Sequence, residues 1–323
     1  MPPTAEHLVA VATVVSLPMA TRFRGITTRE ALLLPAPNGW TEWSPFVEYD
    51  DAEASNWLSA AIDDGWGERP TARRSTVRVN ATVPAVAPDA VTGILARFPG
   101  ARTAKVKVAE RGGSLADDVA RVTAVRVSMG PEARIRVDAN GAWDVDEAVE
   151  ALRALAPIGL EYAEQPCATI TELGTVRARV GGLVRIAADE SVRKPADPLE
   201  VVRAGAADIL VLKPQPLGGA HLALAIAAEA GLPVVASSAL ETSVGLAAAV
   251  RFAAALPDFG LDHGLGTAAL LSADVTRHPL LPIDGTIRVA DVTPDARLLT
   301  EFAASPERTA WWLARLERCA ALL

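Results

Sequence analysis

Of the 31 basic residues in this chain only four are lysine, Lys105, Lys107, Lys194 and Lys213. Arginine keeps its charge at physiological pH, whereas a lysine amine can be neutralised by its surroundings. A chain that uses arginine for solvated charge invites the question of what its lysines do. Lys105 and Lys107 lie in the run AKVKVA and Lys213 in ILVLKP. Between them come Asp138 and Asn140 in IRVDAN, Glu164 in LEYAEQP, and Asp189 with Glu190 in VRIAADES. Side chains two residues apart on a strand share a face. Lys105 would therefore share one with Lys107, Arg136 with Asp138 and Asn140, and Tyr162 with Glu164. If those faces point to one place, three carboxylates from consecutive strands meet between lysines from the strands on either side. Converging carboxylates need a counter-cation. All-oxygen ligands suit a hard ion, Mg2+ before Ca2+ or Mn2+. Zinc is disfavoured by four scattered histidines (His7, His221, His263, His278), two distant cysteines and no H-E-x-x-H. Any one of these acids also reads as a helix cap or a solvated salt-bridge partner. The ordered set favours the functional reading.

Such residues need a scaffold that brings several strand ends together. From about Val77, β-branched runs alternate with Ala/Leu-rich segments. The runs begin near Val77, Ala104, Ile135, Leu160, Val184, Ile209, Pro233 and Gly260, 24–31 residues apart. Eight strand–helix units at near-constant spacing predict an α/β fold, a (β/α)8-type (TIM-like) barrel over 77–281 with working residues at the C-terminal strand ends. A doubly wound open sheet is the alternative, but no G-x-G-x-x-G follows the first run. Residues 144–155 place Val145, Ala148, Val149, Leu152 and Leu155 on one helical stripe. Residues 1–76 read as an α+β capping domain, with strands over 8–16, 30–34 and 39–47 and a helix over 51–64 that Asp51 caps. The basic stretch 19–25, with Phe23 its one aromatic, reads either as a solvated turn or as a loop covering a substrate. The rhythm stops near Leu281. The segment 282–323 contains a helix over 306–323 bearing Trp311, Trp312 and Leu316, expected to pack back on the cap.

Composition narrows the function classes. Half of the 323 residues are hydrophobic, 22% are charged and the net charge is −8. That excludes a largely disordered chain. It also disfavours a nucleic-acid partner or an anionic membrane surface. No uncharged run, 214–228 included, exceeds 15 residues, short of the ~18 a span needs. The apolar stretch 8–17 lacks a basic leader and follows Glu6, so it reads as a buried strand rather than a signal peptide. Cys167 and Cys319 make no disulfide framework, which points to a reduced, cytoplasmic setting. There is no G-x-S-x-G elbow and no P-loop. Ser237 and Ser238 have no evident histidine partner. Cys167 and His263 read as loop residues and Lys194 as a solvated charge. A Schiff-base role for Lys213 would leave the three acids without a task.

Lys105-Val106-Lys107, Val137-Asp138-Ala139-Asn140, Glu164-Gln165-Pro166, Asp189-Glu190-Ser191 and Leu212-Lys213-Pro214 stand in the order and spacing of the enolase superfamily, with gaps of 26, 25 and 24 residues from Asp138 to Lys213. The chain resembles the superfamily's muconate-lactonizing branch. Within it, the short chain, Arg136, and the stretches 237–241 and 260–262 resemble the o-succinylbenzoate synthase family. The resemblance implies that Asp138, Glu164 and Asp189 hold Mg2+, with Mn2+ as substitute. It makes Lys107 the general base that removes a proton α to a carboxylate, and Lys213 its counterpart across the substrate. Arg22 would close over the substrate from the cap. Lys105 and Asn140 would contact the substrate, and Ser237 and Gly260 its succinyl tail. The implied partner is a small-molecule carboxylate. The implied reaction is syn dehydration of 2-succinyl-6-hydroxy-2,4-cyclohexadiene-1-carboxylate through an enediolate, in menaquinone biosynthesis. N-succinylamino acid racemisation, or another racemase, epimerase or cycloisomerase activity, uses the same template. A barrel that only binds a metal or partner would have no use for lysines on both sides of the acids.

Overall fold

The computed structural model describes residues 2–23, 25–193 and 197–323. Lys194, and Arg24 within the 19–25 stretch, lie outside the described residues.

The chain opens with helix α1 (Ala5–Val11), where a strand was expected over 8–16. The Thr4 hydroxyl accepts from the His7 N–H and Glu6 sits in the first turn, two features that start helices. Ala12 is extended and stops it, so strand β1 (Thr13–Phe23) takes only the second half of the apolar run. β1 pairs antiparallel with β2 (Ile26–Ala36), and β2 with β3 (Gly39–Trp43). Phe23 pairs with Ile26, which makes the basic stretch the tip of a long hairpin. Helix α2 (Asp51–Trp66) follows, its N-terminus capped by the Asp50 carboxylate, and buries Trp57 and Leu58.

β4 (Thr76–Arg78), the start of the expected first barrel run, is not in the main sheet. It pairs antiparallel with β12 near the C-terminus. The main sheet begins with β5 (Ala81–Val83) and helix α3 (Val91–Leu95), then β6 (Thr103–Lys107) and α4 (Leu115–Met129). β7 (Arg134–Asp138), α5 (Val145–Leu155), β8 (Leu160–Glu164) and α6 (Ile170–Val180) continue the alternation. Next come β9 (Ile186–Ala188), the short α7 (Glu190–Arg193) and α8 (Glu200–Arg203), β10 (Ile209–Leu212), α9 (Ala220–Ala230), β11 (Val234–Ala236) and α10 (Ser243–Ala255). β5 to β11 lie side by side in chain order, every pair parallel. Strands covered on both faces explain the near-continuous Val/Ile/Leu runs.

The run from Gly260 is not an eighth strand. Residues 263 and 264 instead make isolated parallel bridges, His263 to Val79 and Gly264 to Ser237. These touch both ends of the sheet, which is therefore curled. Three glycines within 260–266 explain the weak strand character. Gly264 is needed at its bridge, since a Cβ there would stand 2.8 Å from the Ser237 hydroxyl.

β12 (Thr286–Arg288), α11 (Ala296–Glu301) and α12 (Pro306–Ala320) complete the chain. α12 lies on the cap. Trp312 is fully buried, meets Trp43 edge to face at 5.4 Å, and donates to the Glu30 carboxylate at 2.9 Å. One continuous cluster of buried apolar side chains joins the cap to the helices around the sheet. A small separate cluster, including Tyr162, Val211 and Leu261, fills part of the sheet's concave side. Among the described residues no helix is long and apolar enough to cross a membrane. Both cysteines are free and buried.

Candidate active site

Strand register puts the chemistry in one row. Lys107 of β6 stands beside Asp138 of β7, which stands beside Glu164 of β8. Asp189 follows the last residue of β9, and Lys213 the last residue of β10. All lie at C-terminal strand ends, where parallel barrels place reacting groups. Lys105 Nζ donates to Glu164 Oε1 at 2.6 Å and lies 3.0 Å from Asp138 Oδ2. Lys107 Nζ donates to Asp138 Oδ2 at 2.6 Å and to Asn140 Oδ1 at 2.5 Å. Lys213 Nζ is paired with Asp189 Oδ2. Arg193 approaches Asp189 from behind at 3.5 Å, and also contacts Glu190 and, from the cap, Glu53.

The three acids are at most 2% exposed. Burial alone would raise all three, and neighbouring charge then separates them. Against burial, Lys105 and Lys107 hold Asp138 well below the usual carboxylate range. Against burial, Lys213 and Arg193 hold Asp189 low. Glu164 sits between those two carboxylates. Burial and the charge of Asp138 push it up to about 7 despite Lys105. Lys105 is raised: burial works against its charge, but Asp138 and Glu164 more than compensate. Two carboxylate oxygens, Glu164 Oε2 and Asp189 Oδ1, are buried without a hydrogen-bond donor. Among the described residues no three His, Cys, Asp or Glu side chains form a ready coordination shell. The ammonium groups of Lys105, Lys107 and Lys213 stand among the acids instead.

A pocket opens over this row. Lys107 and Lys213 both line it, with Asp138 and Asp189. The barrel adds Ser237, Gly264 and Thr267, and the cap adds Phe23 and Phe46. Lys107 Nζ lies 5.5 Å from the centre of the Phe23 ring. Asn140 also lines the pocket. Its backbone is left-handed at φ +49°, a conformation Asn tolerates better than most residues, and its side chain bridges Lys107 to Glu190.

Two expected contacts lie elsewhere. Arg22 is exposed and does not line the pocket. Its neighbour Phe23, on the other face of β1, does. Strand alternation makes that exchange, and the clue in the sequence was the single aromatic in a basic stretch. The Gly260 carbonyl accepts from Arg134 at 2.6 Å, at the N-terminal end of β7 and so at the far end of the barrel. Gly264, four residues on, is the glycine in the pocket wall. Phe46, Thr82 and Thr267 were not singled out from the sequence. None carries a spacing signal that points to the site, and only tertiary folding brings each to the pocket.

Two family models match the chain. One, described as enolase C-terminal domain-like, covers residues 94–294, and the other, enolase N-terminal domain-like, covers 14–68. The o-succinylbenzoate synthase of Mycobacterium ulcerans (strain Agy99) is 52% identical over 323 residues, spanning 100% of this chain and 97% of that protein. That of Mycobacterium tuberculosis (strain ATCC 25618 / H37Rv) is 55% identical over 324 residues, spanning 99% and 97%. Among solved structures, a muconate lactonizing enzyme from Pseudomonas fluorescens complexed with muconolactone superposes with a TM-score of 0.78 at 22% identity, covering 91% of this chain and 98% of that one. The L-Ala-D/L-Glu epimerase from Bacillus subtilis gives 0.74 at 23%, covering 88% and 96%. The structural likenesses are likenesses of fold.

Proposed function

The chain belongs to the enolase superfamily and, within it, to the o-succinylbenzoate synthase family, and on that premise we propose that it dehydrates 2-succinyl-6-hydroxy-2,4-cyclohexadiene-1-carboxylate to o-succinylbenzoate, the step this family supplies to menaquinone biosynthesis. The observation that carries the proposal is the placement of Lys107 and Lys213 in the lining of one pocket, with the row Asp138, Glu164, Asp189 between their strands. We read the bridges at 263–264 as closing the sheet into an eight-unit barrel over 77–281, with 1–76 as cap and 282–323 returning to it. Two buried free thiols suit a cytoplasmic enzyme.

Lys107 takes the proton from the ring carbon that bears the carboxylate. The C–H electron pair enters the ring, the C–O bond of the β-hydroxyl breaks, and Lys107 returns its proton to the departing oxygen as water. One base serves both steps because a syn elimination places hydrogen and hydroxyl on one face. Asn140 holds the Lys107 amine through its side-chain oxygen. Lys213, from the other side of the pocket, offers a cation to the ring's π face. Phe23 and Phe46 cover the pocket from the cap and keep water from it. Ser237 faces the tail, with Gly264 in the place assigned to Gly260.

The donor set fits a hard divalent cation: three carboxylates, two with a buried oxygen that lacks a donor. Asp138, Glu164 and Asp189 would hold Mg2+, with Mn2+ as substitute. When bound, it would draw off charge from the substrate carboxylate and acidify the neighbouring C–H.

The test is turnover of that cyclohexadiene by the purified protein with Mg2+, and its loss with chelator. Lys107→Ala should lower kcat by roughly a thousandfold while o-succinylbenzoate still binds. Near wild-type turnover in that variant would remove Lys107 as the base. The same two lysines would serve N-succinylamino acid racemisation. Deuterium entering Cα of such a substrate in D2O, without dehydration of the cyclohexadiene, would favour that reading.

A further inference from the structure

One wall of the pocket is held by residues that never reach it. Ser237, Ser238, Ala239 and Leu240, after β11, form that wall, and Phe46 of the cap faces the same space. Leu240 has φ +64°, a left-handed backbone that a branched side chain adopts only when its surroundings enforce it. The enforcing group comes from the cap. Arg29 of β2 is 3% exposed. Its Nε donates to the Leu240 carbonyl at 3.1 Å, and its Nη2 to the Ala239 carbonyl at 3.2 Å and to the Ser44 carbonyl. Its guanidinium also stacks 4.4 Å from the centre of the Phe46 ring. A second cap residue grips the same loop one turn later. Glu42 of β3 accepts from Thr242 N at 3.1 Å, Thr242 Oγ1 at 2.6 Å and Gly245 N at 3.1 Å. It thus places a carboxylate at the start of α10, where backbone N–H groups lack helical partners. Glu241 completes the clamp by accepting from Ala239 N at 2.7 Å.

Neither Arg29 nor Glu42 lies among the residues that line the pocket. Both are buried, and both act on the loop's backbone and on side chains that support it, so they fix the position of the wall without lining the pocket themselves. Hydrogen bonds join Arg29 and Glu42 to the loop after β11 and the start of α10, while Lys107, Asp138 and Glu164 sit on β6, β7 and β8. We propose that Arg29 and Glu42 are positioning residues that let the cap set the 237–240 wall and Phe46, and thereby select the acyl tail that the pocket accepts. The proposal deepens the synthase reading and rests on it for the identity of the tail.

Two conservative variants test it. Arg29→Lys keeps the charge and loses the planar fork, and Glu42→Gln keeps the shape and replaces one accepting oxygen with an NH2 that can only donate. Each should weaken o-succinylbenzoate by about tenfold or more and leave benzoate, which lacks the tail, within about twofold of wild type. KM for the cyclohexadiene should rise by a similar factor with kcat within about threefold. Equal loss for both ligands would reveal a general structural role, and no loss for either would remove the coupling. Both results overturn the proposal. A wild-type protein that binds no o-succinylbenzoate would instead defeat the synthase reading. Hydrogen exchange on ligand-free protein then decides the clamp. The amides of Thr242 and Gly245 in Glu42→Gln, and of Ala239 in Arg29→Lys, should exchange about tenfold faster or more. Unchanged protection at those amides overturns the proposal.

Discussion

At the scale of single residues, the site is a set of buried charges, each stable only because of another. Taking an ion from water is costly, and removing one member of a buried pair leaves the other uncompensated. Glu164 shows the strain most, flanked by two carboxylates and with one oxygen unpaired. His263 is solved differently, by remaining neutral. It is 5% exposed, and its Nδ1 accepts from Ala236 N at 3.1 Å. Burial, then the charges of Arg136 and Arg74, lower it from its ordinary 6.5 to about 4. As pH falls, the unfolded chain therefore takes up this proton before the folded one. The contribution to stability is complete above pH 6.5 and is lost between 6.5 and about 4, roughly 3 kcal/mol in all. Urea unfolding at pH 7 and pH 5 should show wild type losing more stability than His263→Gln, whose amide oxygen can still accept from Ala236. Equal losses would show that His263 is not the titrating group.

At the scale of elements, several helix starts are built from neighbouring residues, a local signal that the reading of strands and spacing did not use. Ser114 with Asp117, Asp144 with Glu147 and Thr169 with Glu172 each form a reciprocal capping box at the start of α4, α5 and α6. Such boxes need only three residues' spacing. The start of α10 is different, because its carboxylate comes from β3, about 200 residues earlier. Gly245 in its first turn follows from that. Propensity alone would favour alanine by about 1 kcal/mol. An added Cβ would meet Glu241 Cβ at 2.8 Å and Glu42 Cδ at 2.9 Å. Contact should override propensity, and Gly245→Ala should destabilise the protein by about 1–3 kcal/mol, read as a lower urea midpoint. A raised midpoint would show that Glu42 gives way at no cost.

At the scale of the whole molecule, the cap is completed by the far end of the chain. Glu30 of β2 takes Trp312 Nε1 at 2.9 Å and three bonds from the Arg308 guanidinium, and Trp43 packs on Trp312. β12 ties the C-terminal segment a second time, to β4 at the start of the barrel region. Trp312→Ala should cost about 3–5 kcal/mol, as large truncations in cores do. Because Phe23 and Phe46 reach the pocket from this same cap, KM should rise in the variant while Lys107 and the acids remain in place. A variant with unchanged KM and unchanged stability would show that α12 is dispensable to the cap.

What the sequence settled was chemistry and rhythm. The rarity of lysine, the acids at steady spacing and the alternation of β-branched runs with helical segments are local patterns, and side-chain periodicity converts them directly into faces and strand ends. Those features placed Lys105, Lys107, Asp138, Glu164, Asp189 and Lys213 in one row. Some local signals were masked by stronger ones. The helix at 5–11 arose inside an apolar run because its neighbour Thr4 caps it. The run from Gly260 became a pair of bridges because its glycines favour close approach over strand pairing. Phe23 rather than Arg22, and Gly264 rather than Gly260, line the pocket because which face and which end of a strand meets the cap depends on the docking of one layer on another. Arg29 and Glu42 carry no spacing signal at all: their partners lie about 200 residues away, and only the closed chain brings donor and carbonyl within reach of a hydrogen bond.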